Sequence, residues 1–202
     1  MSSGKKKHLR QTISPTLTNE FYNLRYTGSL WMGFDLQEVP DVIFDTGSAW
    51  LALKTTDCPL CTNAVYDPAS SPDTYREMNT RDAEMDITYL DSTYLEGIQV
   101  FDWMCITDDA DTCLTDFKWM NVQVSGLSTS VQGVLGMCAD VDAIDYGVVT
   151  PEPTGSSFIE QLFNSGVIQE KMFAFGLREM TNSADSFLDI GFWDENALKD
   201  PS

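Results

Sequence analysis

The chain has 202 residues, 43% of them hydrophobic and 11% aromatic, enough for one large domain or two small ones with a real core. Lys and Arg number 12 against 31 Asp and Glu, a formal charge of −19, so no broad basic face exists to hold nucleic acid or an anionic membrane. The single histidine, His8, removes mechanisms built on a positioned imidazole, and acid–base chemistry falls to carboxylates, tyrosine or lysine.

The chain opens on a basic stretch. Residues 1–10 hold Lys5, Lys6, Lys7 and Arg10 without an acid, while the remainder holds 8 basic and 31 acidic residues. A basic tail over 1–20 is expected, solvated or folded back on an acidic body over 21–202. No apolar stretch follows the charged start, so it is not a signal peptide, and the reading is of a chain whose true beginning is missing. No run of about 18 apolar residues occurs, so no membrane insertion is expected.

From residue 26 onward the texture is that of a β protein. Val42-Ile43-Phe44 and Trp50-Leu51-Ala52-Leu53 flank the turn-forming Asp45-Thr46-Gly47-Ser48. Met85 to Val100 reads as a hairpin with its tip near Leu90-Asp91-Ser92. Val122 to Val124 and Val134-Leu135 read as further strands, as do 173–177 and 187–191, which alternate in the manner of half-buried strands. One helix is clear, over 157–164. Ser157 can cap it with Glu160 in the capping-box position, Phe158, Ile159, Leu162 and Phe163 make its apolar face, and Gly166 follows its end. No repeat or long linker divides the chain. The expected fold is all-β with a few short helices, in one unit.

Asp45 ends an apolar strand, where a partly buried carboxylate needs donors to tolerate its position. The Gly47 amide and the Ser48 hydroxyl can supply them, and Thr46 can brace the loop. An ordinary Asp-Thr-Gly turn between strands accounts for the same three residues. Glu77, Glu84 and Asp86 read as a solvated face. Asp108, Asp109 and Asp111 lack the glycine and terminal Glu of a calcium loop, and no metal or other cofactor is expected.

The order of motifs on either side of Asp45 shifts the balance. From about Tyr26 to Asp194 the chain resembles the N-terminal lobe of pepsin-like aspartic endopeptidases. Tyr26-x-Gly28 with Trp31-Met-Gly33 is similar to that lobe's opening strands, and Val-Ile-Phe-Asp45-Thr-Gly-Ser48 to its catalytic loop. Cys58-Pro-Leu-Cys61 and Tyr66-Asp-Pro-Ala-Ser-Ser71 with Tyr75 resemble the stretch that comes next. Tyr89 falls where the family's flap tyrosine stands, and Gly133-Val-Leu-Gly136 matches the loop beneath the catalytic turn. Lys5 to Arg10 is similar to the basic segment of the family's propeptides.

The resemblance implies one lobe of an acid protease fold and an aspartic endopeptidase acting on extended polypeptides. Asp45 is then one of two catalytic carboxylates, Thr46, Gly47 and Ser48 hold it, and Tyr89 covers the substrate. Two carboxylates about 3 Å apart cannot both ionise, so they share a proton; one activates a water and the other polarises the peptide carbonyl. Three departures stand beside this. A second Asp-Thr-Gly or Asp-Ser-Gly is missing, so the expectation is that a C-terminal lobe, or a second copy as in retroviral-type homodimers, completes the dyad. The hairpin tip carries Leu90 and Ser92 where the family usually has glycines, which stiffens it. The tryptophan expected at position 52 is displaced to Trp50, so its hydrogen bond to Tyr89 is in doubt. A catalytically inactive peptide-binding module is the alternative.

The five cysteines favour an oxidising compartment. The spacing of Cys58 and Cys61 matches a small disulfide loop of the relatives; Cys105 and Cys113 bracket an acidic loop and make a second bridge, leaving Cys138 over. With the acidity, this implies a secreted or lysosome/vacuole-type lumenal location.

Overall fold

The computed structural model describes residues 13–20, 25–79, 83–138, 158–179 and 185–193. Among the described residues eleven strands run in chain order: β1 (Thr16–Glu20), β2 (Arg25–Met32), β3 (Gln37–Asp45), β4 (Leu51–Lys54), β5 (Arg76–Glu77), β6 (Glu84–Thr88), β7 (Tyr94–Cys105), β8 (Cys113–Ser125), β9 (Gly133–Gly136), β10 (Phe173–Gly176) and β11 (Ser186–Ile190). One α-helix among the described residues, α1 (Phe158–Asn164), lies between β9 and β10, and short 3-10 turns occupy 68–70 and 110–112. The expected all-β class with a few short helices is what the chain adopts.

The strands form one sheet in the order β10-β11-β1-β2-β3-β9-β4-β8-β7-β5, with β6 added on β7. A further pairing of β2 with β7, through Trp31↔Cys105 and Met32↔Met104, turns the central strands back on themselves. Most pairs are antiparallel. The exceptions matter for the site: β3 with β9 and β4 with β8 are parallel. Strand β9 therefore sits between the two strands that leave and re-enter the 46–50 loop.

The main core gathers Leu30, Met32, Val42, Leu51, Leu53, Phe117, Trp119, Leu135, Phe158 and Leu162, all buried. Withdrawing each such side chain from water contributes about 1.5–3 kcal/mol. A smaller cluster on the opposite face of β8 holds Ala52, Leu95, Met120 and Val122, with Cys61, Met85, Ile87, Tyr89 and Leu127 packed on it. Phe117 and Trp119 face one side of β8, Met120 and Val122 the other. Both faces are covered over 119–122, where four successive residues are buried, while Thr115, Asp116 and Val124 toward the strand ends are exposed.

Several expectations shift. The short strand expected at 122–124 is the end of a thirteen-residue strand, β8. It was illegible because Asp116, at φ 65°, kinks it and buried Asn121 interrupts its apolar run. The strand at 16–20 lies inside the stretch expected to be tail: Leu17 is buried, and β1 pairs with both β2 and β11. Its Thr-Leu-Thr-Asn-Glu buries one large apolar residue, too little for a strand signal. In α1, Phe158 and Leu162 are buried, but Phe163 is exposed, with the Lys171 ammonium over its ring. The basic residues 5–10 and the capping Ser157 lie outside the described residues.

Both expected disulfides are present, Cys58–Cys61 and Cys105–Cys113. The first closes a tight loop against the small cluster through Cys61. The second joins the end of β7 to the start of β8, where Cys105 and Cys113 are already cross-strand partners.

Candidate active site

Val42, Ile43, Phe44 and Asp45 run parallel to Gly133, Val134, Leu135 and Gly136, one partner each. The strand is apolar because it is buried between neighbours, and Asp45 is its last residue, half-buried where the sheet opens. Beyond it the chain turns through 46–50 and returns as β4 on the other side of β9. Three backbone hydrogen bonds lace this loop down. Met137 N–H donates to Asp45 O at 2.7 Å, Gly136 N–H to Trp50 O at 2.9 Å and Cys138 N–H to Ser48 O at 3.0 Å. Gly136 is glycine for a steric reason: a Cβ there would lie 2.5 Å from both Ser48 O and Trp50 N.

The Asp45 carboxylate accepts one hydrogen bond, from the Gly47 N–H at 2.9 Å. That is the donor expected from the sequence. The Ser48 hydroxyl does not take the expected part: it is buried and makes no hydrogen bond among the described residues. Nor does Thr46 brace the loop from within, since its side chain is exposed.

The hairpin β6–β7 pairs Thr88 with Tyr94 at its end, so the tip is 89–93. Tyr89 N–H donates to Thr93 O and Ser92 N–H to Tyr89 O, both at 2.9 Å, and the Asp91 carboxylate accepts from Thr93 N–H at 2.9 Å. Ser92 sits at φ 69°, the left-handed region that glycine enters freely. Leu90 at the tip is fully exposed. Tyr89 turns inward onto the small cluster, and its hydroxyl is buried without a hydrogen-bond partner among the described residues. Burial pushes the Tyr89 phenol well up, and the negative charges of Asp45 and then Asp91 push it further.

The indole expected beside Tyr89 is elsewhere. Ala52 fills its position and is fully buried in the small cluster. The Trp50 ring instead lies beside Lys118, whose ammonium is 5.4 Å from the ring centroid. Sequence reading overlooked Lys118. The signal that could have found it is its spacing of two and four from Met120 and Val122, which puts it on the same face of β8.

A second polar centre, also unread from sequence, lies inside the fold. Asp102 is fully buried and accepts hydrogen bonds from the Tyr66 hydroxyl, from the Thr74 hydroxyl at 2.6 Å and from Trp103 N–H at 2.8 Å. Burial raises the Asp102 carboxyl above the ordinary carboxylate range despite these three donors. Tyr66 also meets Trp119 edge-on at 5.8 Å, so this network anchors the core under β7.

Among known families, the model described as eukaryotic aspartyl protease matches residues 25–201. Comparison with curated proteins returns no match.

Proposed function

The chain belongs to the eukaryotic aspartyl protease family, and from that premise we propose that Asp45 is one of two carboxylates that activate a water against a peptide bond. In this reading Gly47 N–H fixes the Asp45 carboxylate. Thr46 and Ser48 line the loop, and Tyr89 covers an extended polypeptide laid between loop and hairpin. The observation that supports the reading is Asp45 at the end of a buried parallel strand pair, its carboxylate held by Gly47 N–H, with Tyr89 turned inward on the hairpin.

The chemistry is a direct hydration. The ionised carboxylate takes a proton from water as the water oxygen bonds to the carbonyl carbon. The protonated partner donates to the carbonyl oxygen. Collapse of the tetrahedral intermediate breaks the C–N bond as the amine receives a proton. Residues 1–202 hold one Asp-Thr-Gly-Ser sequence, so the second carboxylate comes from a second lobe or from a second copy of Asp45. A peptide-binding module without turnover is the rival, favoured by the Tyr89 hydroxyl, which has no hydrogen-bond partner among the described residues, and by Ser92 at a positive φ in the tip. Two disulfides and the excess of carboxylates support a secreted or lysosome/vacuole-type lumen as the working compartment.

Cleavage of an unfolded polypeptide at acid pH, followed against chain concentration, tests the reading. A rate rising with the square of concentration supports two copies sharing the site. Cleavage that appears only when a second lobe is supplied supports the two-lobe form. Peptide binding with no cleavage in either arrangement leaves the binding module and overturns the peptidase.

A further inference from the structure

Among the described cations, Lys54, Lys118 and Arg178 form no ion pair with a described residue, and of these three Lys118 is the one held against an aromatic ring. Arg25 pairs with Glu20, Arg76 with Asp116 and Lys171 with Glu160, and Lys54 is buried with its ammonium on Ser128 O at 2.8 Å. Lys118 forms no ion pair among the described residues, in a chain with a formal charge of −19. It is half-buried, and its ammonium is held beside the Trp50 ring. A cation in contact with an aromatic face and partly withdrawn from water interacts more strongly with a carboxylate than a freely solvated one does.

Its place in the fold directs it to the substrate. Trp50 closes the loop that begins at Asp45, bonded to Gly136 N–H through its carbonyl. Lys118 shares its face of β8 with Met120 and Val122, on which the inward side of the β6–β7 hairpin packs. Across the sheet its partner is Phe101 of β7, whose ring lies under the Arg76 guanidinium at 3.8 Å. The acid on that side, Asp116, is already engaged by Arg76. Lys118 therefore has the Trp50 indole against its ammonium, Phe101 as its cross-strand partner and no ion pair among the described residues. Its charge is left for something that enters beside the catalytic loop.

We propose that Lys118, seated against Trp50, receives a carboxylate side chain of the bound polypeptide and makes this site select substrates with an acidic residue near the scissile bond. The inference rests on the peptide-binding reading of the site and adds to it a specificity determinant. Selection follows the ionisation of the substrate acid, so it is present above pH 5 and fades as pH falls through about 4.

The test is binding of fluorescent extended peptides, matched in pairs that differ by Glu or Gln at one position, measured by anisotropy at pH 5.5 and 3. The wild-type chain should bind one Glu peptide about fivefold tighter than its Gln twin at pH 5.5 and equally at pH 3. Lys118→Arg should keep that preference, Lys118→Met should abolish it and Lys118→Glu should reverse it toward Lys-bearing peptides. A wild-type protein that binds peptides without preferring Glu at any position overturns the proposal and leaves the peptide-binding reading standing. So does a preference that survives in a folded Lys118→Met. A wild-type chain that binds no peptide of the set overturns that reading and this proposal with it.

Discussion

Replacing Gly136 by alanine attacks the loop that presents Asp45 without touching any group assigned to chemistry. An added Cβ would lie 2.5 Å from Ser48 O and Trp50 N and 2.6 Å from the Ala49 carbonyl carbon. All three are backbone atoms, so no side chain can swing aside and the 46–50 segment must move. Movement loosens the bonds Gly136 N–H to Trp50 O, Met137 N–H to Asp45 O and Cys138 N–H to Ser48 O. At about 1 kcal/mol each, with overpacking strain of similar size, the substitution should destabilise the protein by about 3 kcal/mol or more. Gly166 is the control: a Cβ there meets nothing within 4 Å, and only its φ of +80° resists alanine. That change should cost about 1 kcal/mol. Urea unfolding followed by tryptophan fluorescence measures both. Gly136→Ala costing no more than Gly166→Ala would refute the argument that the loop is clamped against β9.

Asp102 makes stability pH-dependent. Burial raises its folded pKa above the unfolded value, so the folded state holds the extra proton. Its contribution is fully present below the ordinary carboxylate pKa and is lost as pH rises through the raised one. Melting temperature should therefore fall on going from acid toward neutral pH, and Asp102→Asn should flatten that part of the profile; an unchanged slope would contradict it. Tyr89→Phe removes a buried hydroxyl that has no hydrogen-bond partner among the described residues. Thermal melts should show no loss and a gain of up to about 1 kcal/mol, with peptide binding retained through the ring; a clear destabilisation would mean the hydroxyl is bonded in solution.

The elements legible in the sequence were those whose signal is local. The hairpin over 85–100 carries alternation on both arms, and β4, β9 and residues 42–44 at the end of β3 are short apolar runs bounded by Gly, Asp and Thr. Asp45 and its Gly47 donor could be placed because they lie within three residues. Strand β1 escaped because one buried leucine among polar neighbours is no pattern, and its place in the sheet comes from β11, some 170 residues on. The insertion of β9 between β3 and β4, parallel to the first and antiparallel to the second, is likewise non-local and has no trace in either strand alone. Ser48 shows the limit within the loop: adjacency to the glycine donor does not fix a hydroxyl's partner, and here the hydroxyl is buried with no hydrogen bond among the described residues. Lys118 and Asp102 went unread because their meaning lies in Trp50, Tyr66 and Thr74, brought to them by the fold.

Proteolysis at acid pH by wild-type chain and by Asp45→Asn, each checked for folding by its melting curve, tests the central assignment most directly. Asn preserves the shape of the loop and accepts from Gly47 N–H, but it can neither take a proton from water nor share one. Because the two carboxylates act as a unit, whatever cleavage the wild-type chain supports should fall by several orders of magnitude in Asp45→Asn, with the melt nearly unchanged. A folded Asp45→Asn protein that cleaves as fast as wild type would contradict the account.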